Sequence, residues 1–299
     1  MSIARQGTAV SDTAETRYRS RFRKVLEHID ARLADDLSVD DLSAIAAFSK
    51  FHFQRQFSSL FGVGVARYVQ LRRLKRASYR LAFRNDAQVL EIALDSGYEA
   101  PEAFARAFRK TLGQTPSEFR EDPQWAAWQE TYRPMQQLRT DYMKAEFGLD
   151  DVHLLDAVET RVAALEHRGP AVEMGASVRR FIEWRRGSKL VARNSATFNV
   201  VYKHADEDCR YDICAATEHE IPTNAFGVVA KTIPGGRCAV LRHVGSDDTL
   251  SATLDFLYAS WLPQSGEELR DFPLYFQRVR MFPDVPEAEA ITDVFLPLR

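Results

Sequence analysis

The sequence FQRQF at residues 53–57 returns as FARAF at residues 104–108, at an offset of 51 residues. Glycines follow both segments at the same offset, at Gly62 and Gly113. Such self-similarity predicts two copies of one supersecondary unit. Two phenylalanines one helical turn apart share a face, whereas the arginine between them points elsewhere. We therefore expect two helices that pack through their phenylalanines and present their arginines to the outside.

Helical periodicity and capping residues predict further helices around this pair. An amphipathic stripe indicates a helix over residues 18–34, and Ser38 and Ser49 are suited to cap the two helices that follow. A longer helix is expected over residues 65–84, after which the second copy repeats the pattern with a turn at Gly97. Each copy is a short helix, a tight turn and a second helix, which is the helix-turn-helix arrangement that places its second helix in the DNA major groove.

Charge is distributed unevenly along the 299 residues. Residues 17–121 hold 19 Lys and Arg against 13 Asp and Glu, whereas residues 122–299 hold 20 against 27. A basic first third is typical of a nucleic-acid-binding module joined to a domain of another kind. Residues 1–16 are small and polar without an apolar core, so we expect a disordered tail rather than a secretion signal.

Composition argues against several other classes of protein. The apolar runs are too short to span a membrane, so no membrane contact is expected. Cys209, Cys214 and Cys238 are too few for a disulfide framework and lack zinc-site spacing, which indicates a reducing, cytoplasmic location and no metal site. No glycine-rich phosphate loop, G-x-S-x-G elbow or metalloprotease helix occurs. We therefore expect no cofactor, no catalytic residue and no enzymatic activity.

Residues 49–57 and 97–120 resemble the signature of the AraC/XylS family of regulators. The second stretch reads G-Y, then F-x-R-x-F-R-K, then G-x-T-P-x-x-F-R. The resemblance covers a domain at residues 17–121. It implies seven helices, with two recognition helices in successive major grooves on one face of double-stranded DNA.

The resemblance also assigns DNA contacts, position by position. Base contacts are expected from Phe51, Gln54, Arg55, Glu102 and Arg106. Arginine can bind guanine O6 and N7 together, and glutamine can pair with adenine. The second helix has fewer hydrogen-bonding groups, so we expect it to read mostly through Arg106. Contacts to DNA phosphates are expected from Ser49, Lys50, Arg72, Arg76, Arg109 and Lys110.

A second repeat, with an offset of 76 residues, follows a predicted linker at residues 122–157. RVAALEHRG at residues 161–169 returns as RCAVLRHVG at residues 237–245. Each copy predicts a strand, a glycine turn, a helix and two strands. We therefore expect a two-domain chain: an all-α tandem helix-turn-helix domain, then an α+β domain of duplicated β-α-β-β units at residues 158–299. Its antiparallel sheet should carry both helices on one face, which leaves the other face or the groove between the helices open to a ligand.

Residues 233–237, 243–245, 261–263 and 292–298 resemble the GyrI-like effector-binding domain. The resemblance implies a cleft at the internal pseudo-twofold that binds small, often hydrophobic and cationic molecules. Many members place a buried glutamate on the next-to-last strand, where this chain has Gln277. A neutral amide does not favour a cation, so a neutral ligand is equally open. The residues expected to line the ligand site are Phe181, Trp184, Phe198, Tyr258, Trp261, Tyr275 and Gln277.

Together these patterns predict a sequence-specific DNA-binding transcription regulator. Its activity would be modulated by a small molecule, hydrophobic or aromatic, bound in the C-terminal domain, with RNA polymerase as a further candidate partner. Two alternatives stay open: the GyrI-like domain hydrolyses a reactive small molecule, or it binds a protein partner in place of a ligand.

Overall fold

The computed structural model describes residues 14–84, 86–143, 145–204 and 207–299. Its first part is helical: α1 (Ala14–Ala31), α2 (Val39–Ile45), α3 (Lys50–Phe61), α4 (Val65–Phe83), α5 (Val89–Asp95), α6 (Pro101–Leu112), α7 (Pro116–Glu121) and α8 (Trp125–Met143). Residues 14–16, which the predicted tail included, are therefore helical. The remainder of that tail, residues 1–13, lies outside the described residues. No helix formed by the described residues combines the length and apolar character needed to cross a membrane.

The two predicted helix-turn-helix units are confirmed as α2–α3 and α5–α6. Ser38 Oγ accepts a hydrogen bond from the backbone N of Asp41 at 3.1 Å, which caps α2. Gly113 ends α6 with a φ of 76°, a left-handed conformation that glycine adopts without steric cost. The four phenylalanines of the repeat are fully buried: Phe53, Phe57, Phe104 and Phe108.

The segment at residues 122–157 is not an extended linker. Most of it forms α8, whose Trp128, Tyr132 and Met135 are buried in the same core as α1, α3 and α4. These side chains recur at intervals of three and four residues, so they share one helix face and bury together. The end of the segment is strand β1, which belongs to the following sheet. The two domains are thus joined through packed structure.

The second domain contains one antiparallel sheet of the strands β1 (His153–Ala157), β2 (Thr160–Gly169), β3 (Thr197–Lys203), β4 (Cys209–Ala216), β5 (Val229–Ile233), β6 (Gly236–Val244), β7 (Tyr275–Arg280) and β8 (Ile291–Pro297). Helix α9 (Met174–Gly187) follows β2. Helix α10 (Leu250–Asp255) follows β6 and continues through a π-helical stretch at Phe256–Trp261 into α11 (Leu262–Ser265). The predicted β-α-β-β duplication is confirmed as β2-α9-β3-β4 and β6-α10-β7-β8.

Each copy of the β-α-β-β unit is preceded by a further strand that the sequence pattern did not predict. We call β1 and β5 the leading strands, and each of them pairs with the other copy. In the strand order β1-β6-β8-β7-β3-β4-β2-β5, β1 pairs with β6 of the second copy, and β5 pairs with β2 of the first copy. Ala157 pairs with Gly236 and Ile233 pairs with Thr160, which are equivalent pairs at the 76-residue offset. The sheet is therefore pseudo-twofold symmetric about the β3–β7 pair.

Both helices lie on one face of this sheet, as predicted. Phe181 of α9 packs with Leu165 and Ile213, and Leu257 packs with Leu241 of β6. Between the two helices, the centre of this face is polar because Thr197, Asn199, Arg278 and Thr292 point towards it along β3, β7 and β8. The opposite face carries a separate apolar cluster.

The two domains meet across a buried cluster of six charged side chains, which we call the junction cluster. The first domain and α8 contribute Asp30, Arg72, Lys75 and Arg139, and the second domain contributes Asp248 and Glu287. Their side chains are between 1% and 8% exposed. The cluster contains equal numbers of positive and negative groups, so it is neutral as a whole.

The ion pairs of the junction cluster cross the domain boundary. Arg72 Nε lies 2.9 Å from Asp30 Oδ1 within the first domain, and its Nη2 pairs with Glu287 of the second. Lys75 Nζ lies 2.7 Å from Asp248 Oδ2 and 3.0 Å from Glu287 Oε1. Gly175 adds a close apolar approach, because a Cβ there would lie 2.5 Å from Trp125.

Burial alone would raise the pKa of Glu287, but the charges of Arg72, Lys75 and Arg139 outweigh it and hold this pKa well below its ordinary value. Glu287 is therefore ionised in the folded chain. Removing one member of a buried ion pair leaves an uncompensated charge, which is strongly destabilising.

We expect Glu287→Gln to lower the free energy of unfolding by about 3–5 kcal/mol, because Arg72 and Lys75 lose their shared carboxylate. Glu289→Gln is the matched control, since Glu289 lies on the same turn and pairs with Arg280 at the exposed surface. An exposed pair contributes about 0–1 kcal/mol. Urea unfolding of both variants at neutral pH measures the difference. Equal effects of the two substitutions would contradict a buried junction.

The stabilisation from Glu287 should also depend on pH. An unfolded glutamate has a pKa of about 4.3, and the folded value is lower, so the stabilisation is complete above about pH 5.5. It is lost as the pH falls below 4.3 towards the folded pKa. We expect the stability difference between the wild-type chain and Glu287→Gln to shrink between about pH 5 and pH 3. A stability difference that grows as the pH falls from about 5 to 3 would instead show that folding raises the pKa of Glu287.

Candidate DNA interface and ligand cavity

The exposed faces of α3 and α6 carry the side chains predicted to contact DNA bases. Phe51, Gln54 and Arg55 are exposed on α3, as are Glu102 and Arg106 on α6. Phe51 is 84% exposed, which is unusual for an aromatic side chain. Neither guanidinium group forms a hydrogen bond or ion pair with any residue that the structure describes. Both arginines are therefore available to an external acceptor such as a guanine edge.

Most of the predicted phosphate contacts lie at the ends of the same helices. Ser49 caps α3 and is exposed, and Lys50 forms an exposed ion pair of 2.9 Å with Asp40. Arg109 and Lys110 are exposed in the last turn of α6. A phosphate could compete for each of these groups, because none of them is buried.

The assignment of Arg72 to a DNA phosphate is wrong for this arrangement of the domains. Arg72 is 1% exposed, and its guanidinium is bound by Asp30 and Glu287 in the junction cluster. Arg72 lies on the face of α4 that packs against α1 and the second domain, which periodicity alone could not distinguish from the solvent face. Arg76 is partly buried. Burial lowers the pKa of its guanidinium group, and the positive charge of the neighbouring Arg80 lowers it further. Its phosphate contact stays a prediction.

A cavity of about 360 Å³ lies between the two domains. Helices α4 and α8 form one wall, with the rings of Tyr79, Phe83, Trp125 and Trp128. The sheet and α9 form the opposite wall. The volume falls in the range of about 300–1,000 Å³ that is typical of small-molecule sites.

The floor of the cavity is the polar centre of the sheet, where Arg278 organises its neighbours. Arg278 Nε donates to Asn199 Oδ1 at 3.0 Å, and its Nη1 donates to Thr292 Oγ1 at 3.1 Å and to Asp247 Oδ1 at 2.6 Å. The pKa of Arg278 is raised because Asp247 and the phenol of Tyr211 outweigh the effect of burial, which alone would lower it. Arg278 therefore stays charged beneath the cavity.

The structure does not gather the predicted ligand residues at this cavity, and none of the seven lines it. Phe181, Trp184 and Trp261 lie in the cores beneath the helices. Phe198, Tyr275 and Gln277 lie on the face of the sheet opposite to the cavity. Tyr258 is 39% exposed on the helix following β6. The period of two along a strand explains the split, because residues 275 and 277 point away from residues 276 and 278.

The residues missed by sequence reasoning had a weak signal. Thr197 and Asn199 are polar side chains at alternate positions of β3, a pattern that marks a polar strip on one sheet face. Arg278 has no such signal, because β7 also carries Gln277 and Arg280. Tyr79 and Trp125 could not be found in this way, because they belong to the other domain and reach the cavity only through domain packing.

The histidines of the second repeat have structural partners. His243 Nδ1 lies 2.8 Å from Thr253 Oγ1, and His167 Nδ1 lies 2.9 Å from Ser177 Oγ, at equivalent positions of the repeat. Burial lowers the pKa of His243, although the carbonyl of Ser246 opposes this. Both histidines are therefore held by hydrogen bonds to a hydroxyl of the helix that follows their strand.

The cysteines are poor nucleophiles, since burial raises the pKa of the thiols of Cys209, Cys214 and Cys238. Across the described ranges, no group of three His, Cys, Asp or Glu side chains is placed to hold a metal ion.

Comparison with known proteins finds matches to both halves of the chain. The model of the GyrI-like small molecule binding domain matches residues 150–299, and that of a helix-turn-helix domain matches residues 42–122. The chain is 39% identical over 153 residues to the Probable transcriptional regulator YgiV of Escherichia coli K12, a match that covers 50% of this chain and 96% of YgiV.

Two further relatives are similar to about a third of the chain. Identity to the Right origin-binding protein of Escherichia coli K12 is 36% over 108 residues, covering 36% of this chain and only 37% of that protein. The solved DNA-binding domain of AdpA, a global transcriptional factor in complex with a target DNA, is 29% identical with a TM-score of 0.31. That match covers 36% of this chain and 90% of the AdpA chain.

We expect Arg55→Ala to lower affinity for a DNA site selected by the wild-type chain by roughly 1–3 kcal/mol, with relaxed preference at one base pair. Electrophoretic titration against a panel of single-base variants of that site measures both effects. Unchanged affinity and unchanged preference would refute the assignment of Arg55 to a base.

Arg109→Ala is the matched control, because it removes an exposed arginine from a helix end rather than from a reading face. We expect it to weaken binding evenly across the panel and to reduce the slope of log affinity against log salt by about 0.9. A loss confined to one base pair would instead assign Arg109 to a base.

Proposed function

Because the chain belongs to the family of GyrI-like small-molecule-binding domains and carries a helix-turn-helix domain of AraC type, we propose that it is a ligand-modulated transcription regulator. It binds specific sequences in double-stranded DNA through α3 and α6, and a small molecule bound by the C-terminal half alters that binding. One observation carries the proposal. The helical domain presents equivalent exposed arginines on α3 and α6 (the reading helices), it docks on the second domain through the junction cluster, and a ligand-sized cavity lies between the two domains.

The DNA-binding half is supported by the chemistry of its exposed faces. Arg55 and Arg106 hold equivalent places on the two reading helices, and Gln54 beside the first adds an adenine-reading group. Two reading helices in one chain span two grooves without a second subunit. A ligand can change this binding only if its own affinity differs between DNA-competent and DNA-incompetent arrangements.

We infer no catalytic role for the second domain. The carboxylates beside the cavity are each engaged in ion pairs, Asp247 with Arg278, and Asp248 and Glu287 with Lys75. Arg72, Lys75 and Arg139 hold the pKa of Glu287 low against the effect of burial, so Glu287 is a weak general base. These carboxylates therefore favour ligand sensing over the hydrolytic alternative. Contact with RNA polymerase and a cytoplasmic location stay predictions.

The proposal is tested by selecting DNA from a random library with the full chain. We expect enrichment of a site with two short conserved blocks about one helical turn, or 10–10.5 base pairs, apart. The chain with Arg55→Ala and Arg106→Ala together serves as the control and should enrich neither block. A wild-type chain that enriches no sequence above the starting library would overturn the proposal.

A further inference from the structure

We propose that the cavity between the domains is the effector site, that it is completed by the DNA-binding half, and that it takes an uncharged aromatic ligand with an acceptor oxygen. The inference rests on the proposed function and deepens it, because it assigns the site, the ligand class and the route of regulation. The site differs from the residues that the GyrI-like resemblance pointed to, none of which lines this cavity.

The walls of the cavity favour a flat aromatic molecule. The ring of Tyr79 lies 5.0 Å from that of Phe282, 5.6 Å from Trp128 and 6.4 Å from Trp125, in edge-on geometry. These rings come from α4 and α8 on one side and from the loop after β7 on the other. Aliphatic side chains of α9 and β4 complete the apolar lining, among them Val178 and Ile213. Aromatic pairs contribute beyond the area that they bury.

The charges around the cavity favour a neutral molecule. Each charged group that lines it is already paired with an opposite charge. The pairs are Lys75 with Asp248 and Glu287, Arg84 with Asp284, Arg278 with Asp247, and Arg280 with Glu289. A charged ligand would have to break one of these pairs or enter without a counter-ion, and both are costly.

Two residues that line the cavity from opposite walls each have a hydrogen-bond donor without a partner among the residues described. Asn199 is 7% exposed, and its Oδ1 accepts from Arg278, but its Nδ2 has no partner among the residues described. The hydroxyl of Tyr79 likewise makes no hydrogen bond within the described ranges. Burial raises the pKa of Tyr79, so the hydroxyl keeps its proton. A ligand oxygen would satisfy either donor.

The position of Tyr79 connects the cavity to DNA reading. Tyr79 lies on α4, the long helix that joins the two helix-turn-helix units and thereby sets the separation of α3 from α6. Lys75 of the junction cluster lies one turn away on the same helix. A ligand that contacts both walls therefore favours one placement of α4 relative to the sheet. By linkage, DNA and ligand must then change each other's affinity by the same factor.

The test uses prodan, an uncharged naphthalene with a ketone oxygen, whose fluorescence shifts in an apolar site. We expect the full chain to bind prodan saturably. Tyr79→Phe, which removes only the hydroxyl, should weaken binding by roughly two- to tenfold, the factor that one neutral hydrogen bond contributes. Tyr258→Phe is the matched control outside the cavity and should leave prodan binding unchanged. Val178→Trp, which fills the cavity, should abolish it in a chain that still melts cooperatively.

The outcomes separate the site from the function. Prodan binding that is absent from the wild-type chain, or that is insensitive to both Tyr79→Phe and Val178→Trp, refutes the cavity as the site. If the same preparation still selects a specific DNA sequence, the proposed function as a DNA-binding regulator is retained although the cavity is refuted. A prodan affinity that is identical with and without the selected DNA refutes the route through α4.

Discussion

The junction cluster is the interaction on which the rest of the structure depends. Arg72 and Lys75 of α4 have few acceptors within their own domain, and they are balanced by Asp248 and Glu287 of the second. Docking desolvates these charges at a cost, which is offset only if each one meets its partner across the boundary. An apolar interface of the same size would permit small slides between the domains. Ion pairs with fixed partners select one placement, and we infer that this specificity is their main contribution.

That placement turns separate surfaces into sites. The polar strip across β3 and β7 lies on one face of the sheet, and α4 and α8 cover it to form a cavity between the domains. The same docking fixes the helix that spaces the two reading helices. Arg55 and Arg106 do not line the cavity, but the buried faces of α3 and α6 share one core with α4, which does line it. In the proposed regulator, ligand binding and DNA binding therefore both involve α4.

The two repeats made most of the fold predictable from the sequence. Helix caps such as Ser38 and the duplicated phenylalanines determine local structure, and local rules recover such elements. The leading strands β1 and β5 were missed because they pair with the other repeat, so their partners are distant in the chain. The burial of Arg72 and the cavity wall at Tyr79 were missed for a related reason. Which face of a helix meets another domain depends on tertiary packing, which a periodic pattern does not encode.

The central claim is that the two halves fold and function as one docked unit through the junction cluster. Differential scanning calorimetry of the full chain at neutral pH tests it most directly. The account predicts a single transition whose calorimetric and van't Hoff enthalpies agree, because unfolding of either half removes the ion-pair partners and the apolar cover that it supplies to the other. Two well-separated transitions, each with the enthalpy of one half, would contradict it.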